Sequence, residues 1–363
     1  MIASLRRRLR RVLALAWVEL LQVRRDRTSL ALIFSVPAMQ LLLFGYAVNL
    51  DPRNIPIAVS GDGSSSERLH QAIRATGYFT VVGEHLPPGD AEQLLTKGRV
   101  LIAIELPAEG RAGEPRVIVD ATDPPAVRPA LAALEATYWR EEARAASFGF
   151  LPAVDVQWRY NPKGLTTWTI VPALVGVIVM ISMLMLGALA QVRERERGTW
   201  EALLATPVDG LDTFVGKLAP YVVIGSIQAV IVLALGRLLF ALPVTAGVAA
   251  LLVAIPLYAT GNLAFGFAIS TLARNQTQAI QGAVVFYLPS MLLSGFMFPF
   301  EGMPPWARFL GNLLPLTHFI RATRGVLLRG EGIALVAREM SPIALFTLVA
   351  LAAALACFRI RID

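Results

Sequence analysis

Residues 166–190 read TTWTIVPALVGVIVMISMLMLGALA, a run in which no residue carries a charge. A helix rises about 1.5 Å per residue and the hydrocarbon core of a bilayer is about 30 Å thick, so about 20 apolar residues cross it. This run is longer than that. Lipid offers no partners to backbone N–H and C=O groups, so a helix must satisfy them internally. The run therefore predicts a membrane-spanning helix.

Five other segments of the chain pass the same test. The six predicted spans are Thr28–Val48, Thr166–Ala190, Phe214–Leu242, Gly247–Leu272, Gln278–Phe298 and Ser341–Phe358. The composition agrees, because 55% of the residues are hydrophobic and 16% are charged, whereas soluble domains have about 45–50% and about 25%. We predict an α-helical membrane protein with six transmembrane helices, an inserted extracytoplasmic α/β domain and an N-terminal amphipathic interfacial helix.

The arginines predict the orientation. Eight of them lie within the first 27 residues, before the first span, and Arg359 and Arg361 follow the last. The positive-inside rule then places both termini in the cytoplasm and residues 49–165 outside. The net charge of +7 is concentrated beside an apolar run, which suits an anionic membrane surface better than a nucleic acid. We expect a multi-pass protein of the bacterial inner membrane that contacts lipids and does not bind nucleic acid.

Residues 1–27 show the pattern of an amphipathic helix. Apolar residues recur at helical spacing, with arginines on much of the opposite face: Leu5, Leu9, Val12, Leu13, Ala16, Trp17 and Leu20. A cleaved signal peptide is the alternative. It fits poorly, because the apolar run that follows is long and Ala47-Val48-Asn49 does not resemble a cleavage site.

The outside segment, residues 49–165, reads as an α/β domain. Predicted strands are Ile55–Ser60, Tyr78–Val82, Val100–Glu105, Val117–Ala121 and Val154–Tyr160, and predicted helices are Ser64–Ala75, Asp90–Lys97 and Pro125–Ala146.

The last outside connection is too apolar for a plain loop, and residues 299–330 predict short helices that dip into the outer leaflet, with Trp306 at the headgroups. An amphipathic surface loop is the alternative.

The predicted spans contain no energy source. They carry no Asp or Glu, which ion-coupled carriers commonly place near the midplane. The nearest match to a phosphate loop ends at Gly216-Lys217, where the spacing is one residue too long and Leu218 replaces the hydroxyl residue. We interpret Lys217 and Arg237 as side chains that reach the membrane surface. We expect no catalytic residue, no metal site and no cofactor in this chain, so a partner must drive it.

The cytoplasmic connection supplies a candidate docking element. Residues 193–207 read RERERGTWEALLATP. Gly198 permits a bend, Thr199 can cap a short helix, and Pro207 ends it. Trp200, Leu203 and Leu204 then share one face, which suits insertion into a groove of another protein. The alternative is a helix that lies against its own bundle or the lipid.

Two stretches carry a resemblance to a known family. RERERGTWEALLATPV, from 193, and FPFEGMPPWARFLGNLLPLTHFIRATRGVLLRG, from 298, resemble the type-2 ATP-binding cassette (ABC) exporter permeases that have a large extracytoplasmic domain between spans one and two. The resemblance implies a coupling helix that docks on an ATPase, with Glu196, Gly198, Thr199, Glu201 and Leu203 in its motif. It also implies re-entrant helices at the outer mouth, where Glu301, Trp306 and His318 lie.

The resemblance further implies the partners. Such permeases work in pairs, each with an ATPase subunit that holds ATP and Mg²⁺, and the outside domain could meet a periplasmic adaptor. We predict a homodimer, or a pair with a close relative, that exports drugs or other hydrophobic compounds. Lipid or polysaccharide export, a membrane sensor or scaffold, and a secondary carrier are the alternatives. Predicted path residues, for which core packing or lipid contact is the alternative, are Phe34, Met39, Met180, Met183, Phe286 and Met291.

Overall fold

A computed structural model describes residues 2–25, 27–47, 55–61, 64–77, 79–83, 86–87, 89–106, 116–119, 132, 134, 165–196, 198, 210–243, 245 and 247–359. The chain divides into two compact units. The first combines residues 1–48 with 167–363, and the second contains residues 49–166.

Helices dominate the chain. In order, the elements are α1 (Ile2–Arg25), α2 (Arg27–Ala47), β1 (Ile55–Ser60), α3 (Ser64–Thr76), β2 (Phe79–Val81), α4 (Asp90–Thr96), β3 (Ile102–Glu105), β4 (Arg116–Val119), α5 (Thr166–Glu196), α6 (Gly210–Phe240), α7 (Val248–Leu272), α8 (Gln276–Leu293), a 3-10 turn (Phe300–Gly302), α9 (Pro305–Leu313), α10 (Pro315–Arg329) and α11 (Ile333–Arg359).

Four of the described helices are long and apolar enough to cross a membrane: α5, α6, α7 and the Ile333–Cys357 part of α11. The other two predicted spans are also helical. α2 contains the shorter apolar stretch Ile33–Tyr46. α8 has 18 residues and begins with Gln276, Thr277 and Gln278, which lower its apolar content. The chain is therefore an α-helical membrane protein with several spans.

Several helix boundaries differ from the prediction: α5 ends later, at Glu196, α6 begins earlier, at Gly210, and the differences in α8 and α11 have visible causes. α11 begins at Ile333 rather than Ser341, and so includes the charged residue Glu339. Pro342 removes the N–H that would bond the carbonyl of Arg338, but the Ser341 hydroxyl donates to that carbonyl at 2.9 Å, so the helix continues. α8 ends at Leu293, before the predicted Phe298, because Gly295 turns the chain with a φ of 81°.

Small residues let α5 and α7 approach closely. A Cβ atom on Gly187 would overlap the backbone of α7 at Leu263, and one on Gly266 would overlap the backbone of α5 at Leu184. Close backbone approach of this kind is a common packing mode between membrane helices. α5 is consequently the most enclosed of the four long apolar helices, with 67% of its most apolar window buried inside the chain.

The described residues of the second unit include a four-stranded sheet in the order β2-β1-β3-β4. β1 pairs in parallel with β2 and β3, with Ile57 opposite Ile102, and β4 runs antiparallel to β3. Because side chains alternate along a strand, Ile57 and Ile102 pack in a cluster with α3, whereas Ala58 and Ala103 pack in a cluster with α4.

The elements predicted for the second unit are confirmed where the structure describes them. The strands from Ile55 to Val119 and helices α3 and α4 lie within a few residues of their predicted limits. Of the predicted helix Pro125–Ala146, the structure describes Ala132 and Leu134, and both are helical. The predicted strand Val154–Tyr160 lies outside the described residues.

Candidate functional site

The candidate coupling segment connects α5 to α6. α5 continues past its predicted end at Ala190 to Glu196. Gly198 follows with a φ of 71°, in the left-handed region that favours glycine, so the chain turns where a bend is predicted. Thr199, Trp200, Glu201, Leu203 and Leu204 lie outside the described residues, and the short helix expected there stays a prediction.

The last residue of α5 is fastened to the start of α8. Glu196 Oε1 accepts a hydrogen bond from the backbone N–H of Gln276 at 2.9 Å, and Glu196 Oε2 contacts the side-chain amide of the same residue. A carboxylate at a helix N-terminus is favoured by the helix dipole and by the free N–H groups there. Glu196 therefore holds the base of the coupling segment against α8.

A buried ion pair joins α5 to α6. Lys217 Nζ contacts Glu194 Oε2, and the two side chains are 5% and 24% exposed. The interpretation of Lys217 as a side chain that reaches the membrane surface was wrong. Its partner lies on the end of the preceding long helix, and pairing with it offsets the cost of burying the ammonium group.

α1 joins the same group of charges. The Tyr221 hydroxyl lies one turn after Lys217 on α6 and donates to Glu19 Oε2 at 3.2 Å. Burial raises the pKa of the Glu19 carboxyl above its usual value. Lys217 opposes this rise and Glu194 adds to it. We call Glu19, Glu194, Lys217 and Tyr221 the Lys217 cluster; it connects α1, α5 and α6 beside the coupling segment.

A glycine brings α1 close enough to take part. A Cβ atom on Gly216 would lie 2.7 Å from Leu15 Cβ and 3.2 Å from the carbonyl oxygen of Val12. On the other side of α1, Leu9, Leu13 and Trp17 of the predicted apolar face are each more than half exposed within the chain. α1 therefore packs on α6 through one side and presents apolar side chains on another.

The predicted path residues are distributed over core and surface. Met180 and Met183 are fully buried, Phe34 is half-buried and Met39 is exposed. Phe286 packs against Phe265, with ring centroids 4.2 Å apart, and Met291 Sδ lies 3.4 Å from the Tyr287 hydroxyl. Within one chain these six residues do not form a single surface, and their role in transport stays a prediction.

The predicted outer segment forms two short helices, α9 and α10, after the 3-10 turn. Trp306, Phe309 and Leu313 on α9 are between 61% and 66% exposed, which gives this helix an uncovered apolar face. Glu301 lies in the 3-10 turn, and its side chain is outside the described set.

α10, in contrast, is buried. The ring of Phe319 stacks on Tyr258 of α7 with centroids 4.2 Å apart and an interplanar angle of 17°. Gly176 on α5 provides room for this ring and for Leu316, because a Cβ atom there would meet both side chains. α10 is thus held between long helices of the first unit.

His318 ties α10 to its neighbours. Its Nδ1 atom lies 2.7 Å from Glu339 Oε2 on α11, and its Nε2 atom lies 2.8 Å from the carbonyl oxygen of Asn312 at the end of α9. Both side chains of the pair are less than 10% exposed. The Thr317 hydroxyl also donates to the carbonyl of Gly311 at 2.6 Å. α10 therefore satisfies backbone carbonyls of α9 while it is anchored to α11.

Sequence reasoning missed the Lys217 cluster and the partner of His318. An isolated lysine one turn before Tyr221, at the start of an apolar helix, was the available signal, but its partners lie in other segments. Glu339 was missed because it precedes the predicted last span. Within the described part of the chain, no three His, Cys, Asp or Glu side chains lie close enough to hold a metal ion.

Known proteins with a similar sequence indicate what kind of protein this chain is. The chain is 28% identical over 356 residues to the probable multidrug ABC transporter permease YbhR of Escherichia coli, covering 95% of this chain and 97% of that protein. It is 29% identical over 340 residues to the probable multidrug ABC transporter permease YbhS of the same organism, covering 89% of each chain.

A more distant relative is ABC transporter G family member 20 of Dictyostelium discoideum, which is 22% identical over 341 residues, covering 86% of this chain and 45% of that protein. Residues 28–356 match the family described as ABC-2 family transporter protein. The chain therefore belongs to the ABC-2 transporter family and is the permease subunit of an ABC exporter, a membrane subunit without enzyme activity whose ATPase is a separate subunit.

Proposed function

We propose that this permease exports drugs or other hydrophobic and amphiphilic compounds from the cytoplasm or the inner leaflet. Two relatives that align along most of their length carry names that describe them as probable multidrug permeases, which supports a cargo of this kind. Phe34, Met39, Met180, Met183, Phe286 and Met291 are the residues we assign to the path, because aromatic and thioether side chains adapt to varied apolar cargo.

The permease lies in the bacterial inner membrane with both termini in the cytoplasm. α2 and α8 complete a set of six spans, and residues 49–165 form the extracytoplasmic domain. The arginines of residues 1–27 favour this orientation. The exposed side chains Leu9, Leu13 and Trp17 favour an α1 that lies in the membrane interface. Residues 299–330 form the outer re-entrant segment, with Glu301, Trp306 and His318.

The working assembly is a pair of permeases with two ATPases. The second permease is another copy or a close relative, and ATP and Mg²⁺ bind to the ATPases. A periplasmic adaptor meets the α/β domain. An ATPase partner follows from the family; the stoichiometry and the adaptor are proposed here.

The segment 193–207 couples ATP hydrolysis to transport. Trp200, Leu203 and Leu204 fill a groove on the ATPase, in a helix that begins after Gly198 and Thr199 and has Glu201 at its rim. The observation that carries this proposal is the attachment of the segment's base to three helices. Glu196 holds it to α8, Glu194 holds it to α6, and Tyr221 links α6 to Glu19 of α1. A push on the segment therefore reaches several helices at once.

Leu203→Asp tests the coupling site. A charge placed in a desolvated contact costs about 3–5 kcal/mol, so the complex should weaken about a hundredfold or more. Glu201→Gln should have a smaller effect, because a rim charge mainly affects approach. The measurements are co-purification of the ATPase and cargo-stimulated ATP hydrolysis in liposomes.

The permease itself should stay folded in Leu203→Asp and elute as a monodisperse species in detergent. If both measurements are unchanged while the variant is folded, the segment is not the coupling element. A cargo panel of lipophilic dyes, phospholipids and polysaccharide precursors in the same liposomes tests the substrate class. Stimulation by phospholipid or polysaccharide alone would overturn the assignment of drug-like cargo.

A further inference from the structure

α2 contains a proline in its interior. Pro37 has no backbone N–H, so the carbonyl of Ile33, four residues earlier, loses its normal helical donor. In an apolar environment a carbonyl without a donor is costly, and proline is tolerated in membrane helices where a neighbouring group supplies the missing hydrogen bond.

The missing donor comes from another helix. Gln228 of α6 donates from Nε2 to the carbonyl oxygen of Ile33 at 2.8 Å. Gln228 is 1% exposed and lies 195 positions from Ile33 in sequence. The orientation of the amide follows from chemistry, because a carbonyl can only accept and the nitrogen must therefore face it.

The same amide nitrogen reaches a third helix. Gln228 Nε2 also lies 3.0 Å from Ser182 Oγ on α5. Gly225, one turn earlier on α6, makes this contact possible, because a Cβ atom there would lie 2.5 Å from the sulfur of Met183. One amide group therefore joins α2, α5 and α6 at the level of Pro37.

Pro342 on α11 provides an internal comparison. The carbonyl of Arg338, which Pro342 leaves without a backbone donor, accepts a hydrogen bond from Ser341 of the same helix. This hydrogen bond makes no link between helices. A donor from the same helix would satisfy the backbone carbonyl of Ile33 equally well. Supplying it from α6 makes the shape of α2 depend on where α6 lies.

We propose that Gln228 is a positioning residue for transport: its amide replaces the N–H that Pro37 lacks and makes α2 move with α5 and α6 during the cycle. Pro37 is the point at which α2 can bend, and α5 and α6 are the helices that the coupling segment connects. This role requires that the chain is an exporter permease, and it does not depend on which residues of the coupling segment touch the ATPase.

A stability cycle tests the contact. Gln228→Met keeps the length of the side chain and removes its donor, and it should lower the apparent Tm of the purified permease by several degrees. In a Pro37→Ala background the same change should cost much less, because the new N–H of residue 37 can bond Ile33. Gln191→Met is the matched control. Gln191 is equally buried on α5, and its amide makes no hydrogen bond within the described structure, so its effect should be equal in both backgrounds.

A second measurement separates positioning from packing. In a Cys357→Ala background, Leu43→Cys places a thiol on the exposed side of α2 beyond Pro37. In the complex with the ATPase, its maleimide modification rate should change on addition of ATP and Mg²⁺. Gln228→Met should abolish the response of the modification rate to ATP while ATP hydrolysis continues. The double variant Pro37→Ala/Gln228→Met should also lack this response, although its stability is restored.

Three results would overturn the proposal. The first is an equal cost of Gln228→Met in the parent protein and in the Pro37→Ala background. The second is a parent protein in which the rate at position 43 does not respond to ATP. The third is a double variant that regains the ATP response together with its stability, because the amide would then serve packing alone.

Discussion

Replacing Lys217 with methionine removes the cation of the Lys217 cluster while keeping the length of the side chain. Lys217 is 5% exposed and its partner Glu194 is 24% exposed. Removal of one member of a buried pair costs about 3–5 kcal/mol, because the other charge stays buried without compensation. Glu194 keeps about a quarter of its surface in solvent and can recover part of its hydration. We therefore expect a loss of about 2–3 kcal/mol, below that range.

Thermal unfolding of the purified permease in detergent measures this loss. A change of 1 kcal/mol shifts Tm by about 2–4 °C in a unit of this size, so Lys217→Met should lower Tm by about 4–12 °C. Glu194→Gln should cost less, because Lys217 still has the Glu19 carboxylate nearby. The double variant Lys217→Met/Glu194→Gln should recover part of the loss, since the partly buried carboxylate at position 194 is then removed together with the cation that offset its burial. Lys97→Met is the matched control, because Lys97 is exposed at the end of α4.

The expected order is therefore Lys217→Met least stable, the double variant intermediate and Lys97→Met unchanged. A Tm for Lys217→Met that matches the Lys97→Met control would refute the reasoning, because no burial cost would then be attached to the cluster. A double variant less stable than Lys217→Met would also contradict it, since Glu194 would then contribute something other than a buried charge.

Three other predictions can be checked separately. In a Cys357→Ala background, a cysteine at Ser65 should react with an impermeant thiol reagent in intact cells and one at Ala205 should not; the reverse labelling would invert the orientation. Trp306 fluorescence, after removal of the other tryptophans, should be quenched by lipids brominated at shallow depth, whereas quenching by aqueous iodide alone would indicate an ordinary surface helix. Burial raises the pKa of the Glu19 carboxyl in the folded protein, so above this raised pKa the charged carboxylate lowers the stability of the fold. The loss of stability disappears as the pH falls through the raised pKa and the carboxyl is protonated. Glu19→Gln should therefore match or exceed the parent Tm at neutral pH and lose that advantage in acid, and a lower Tm at neutral pH would contradict the burial of the charge.

Sequence patterns predicted local structure well because local structure depends on neighbours in the chain. Strand β1 is found at its predicted residues, Ile55–Ser60, since alternating side chains and flanking turns are local signals. The long apolar helices are found for the same reason. The start of α11 was missed because Arg338 and Glu339 look like a loop when taken alone. Arg338 is exposed, and the buried carboxylate of Glu339 is accommodated by Arg338 beside it and by His318, which lies 21 positions away.

The polar contacts inside the first unit were not predictable in this way. Lys217 pairs with a residue 23 positions earlier and Gln228 with a carbonyl 195 positions earlier. No periodicity connects such residues, because their proximity is set by how helices pack. The coupling motif is a different case. Its residues were assigned from a family resemblance, and the structure shows what one of them, Glu196, does for the chain itself: it fixes the start of α8.

The burial of α10 has a consequence for the order of biosynthesis. α10 has 15 residues and carries His318, Arg321 and Arg324, so as it leaves the ribosome it is too short and too polar to enter lipid as a span of its own. Its final contacts include α11, and Glu339 is made only after all of α10. α10 therefore cannot complete its contacts while the chain is synthesised only up to Arg329. α11, which is translated after α10, completes this region, and a nascent chain that ends before Ile333 should leave α10 more open to proteases and chaperones.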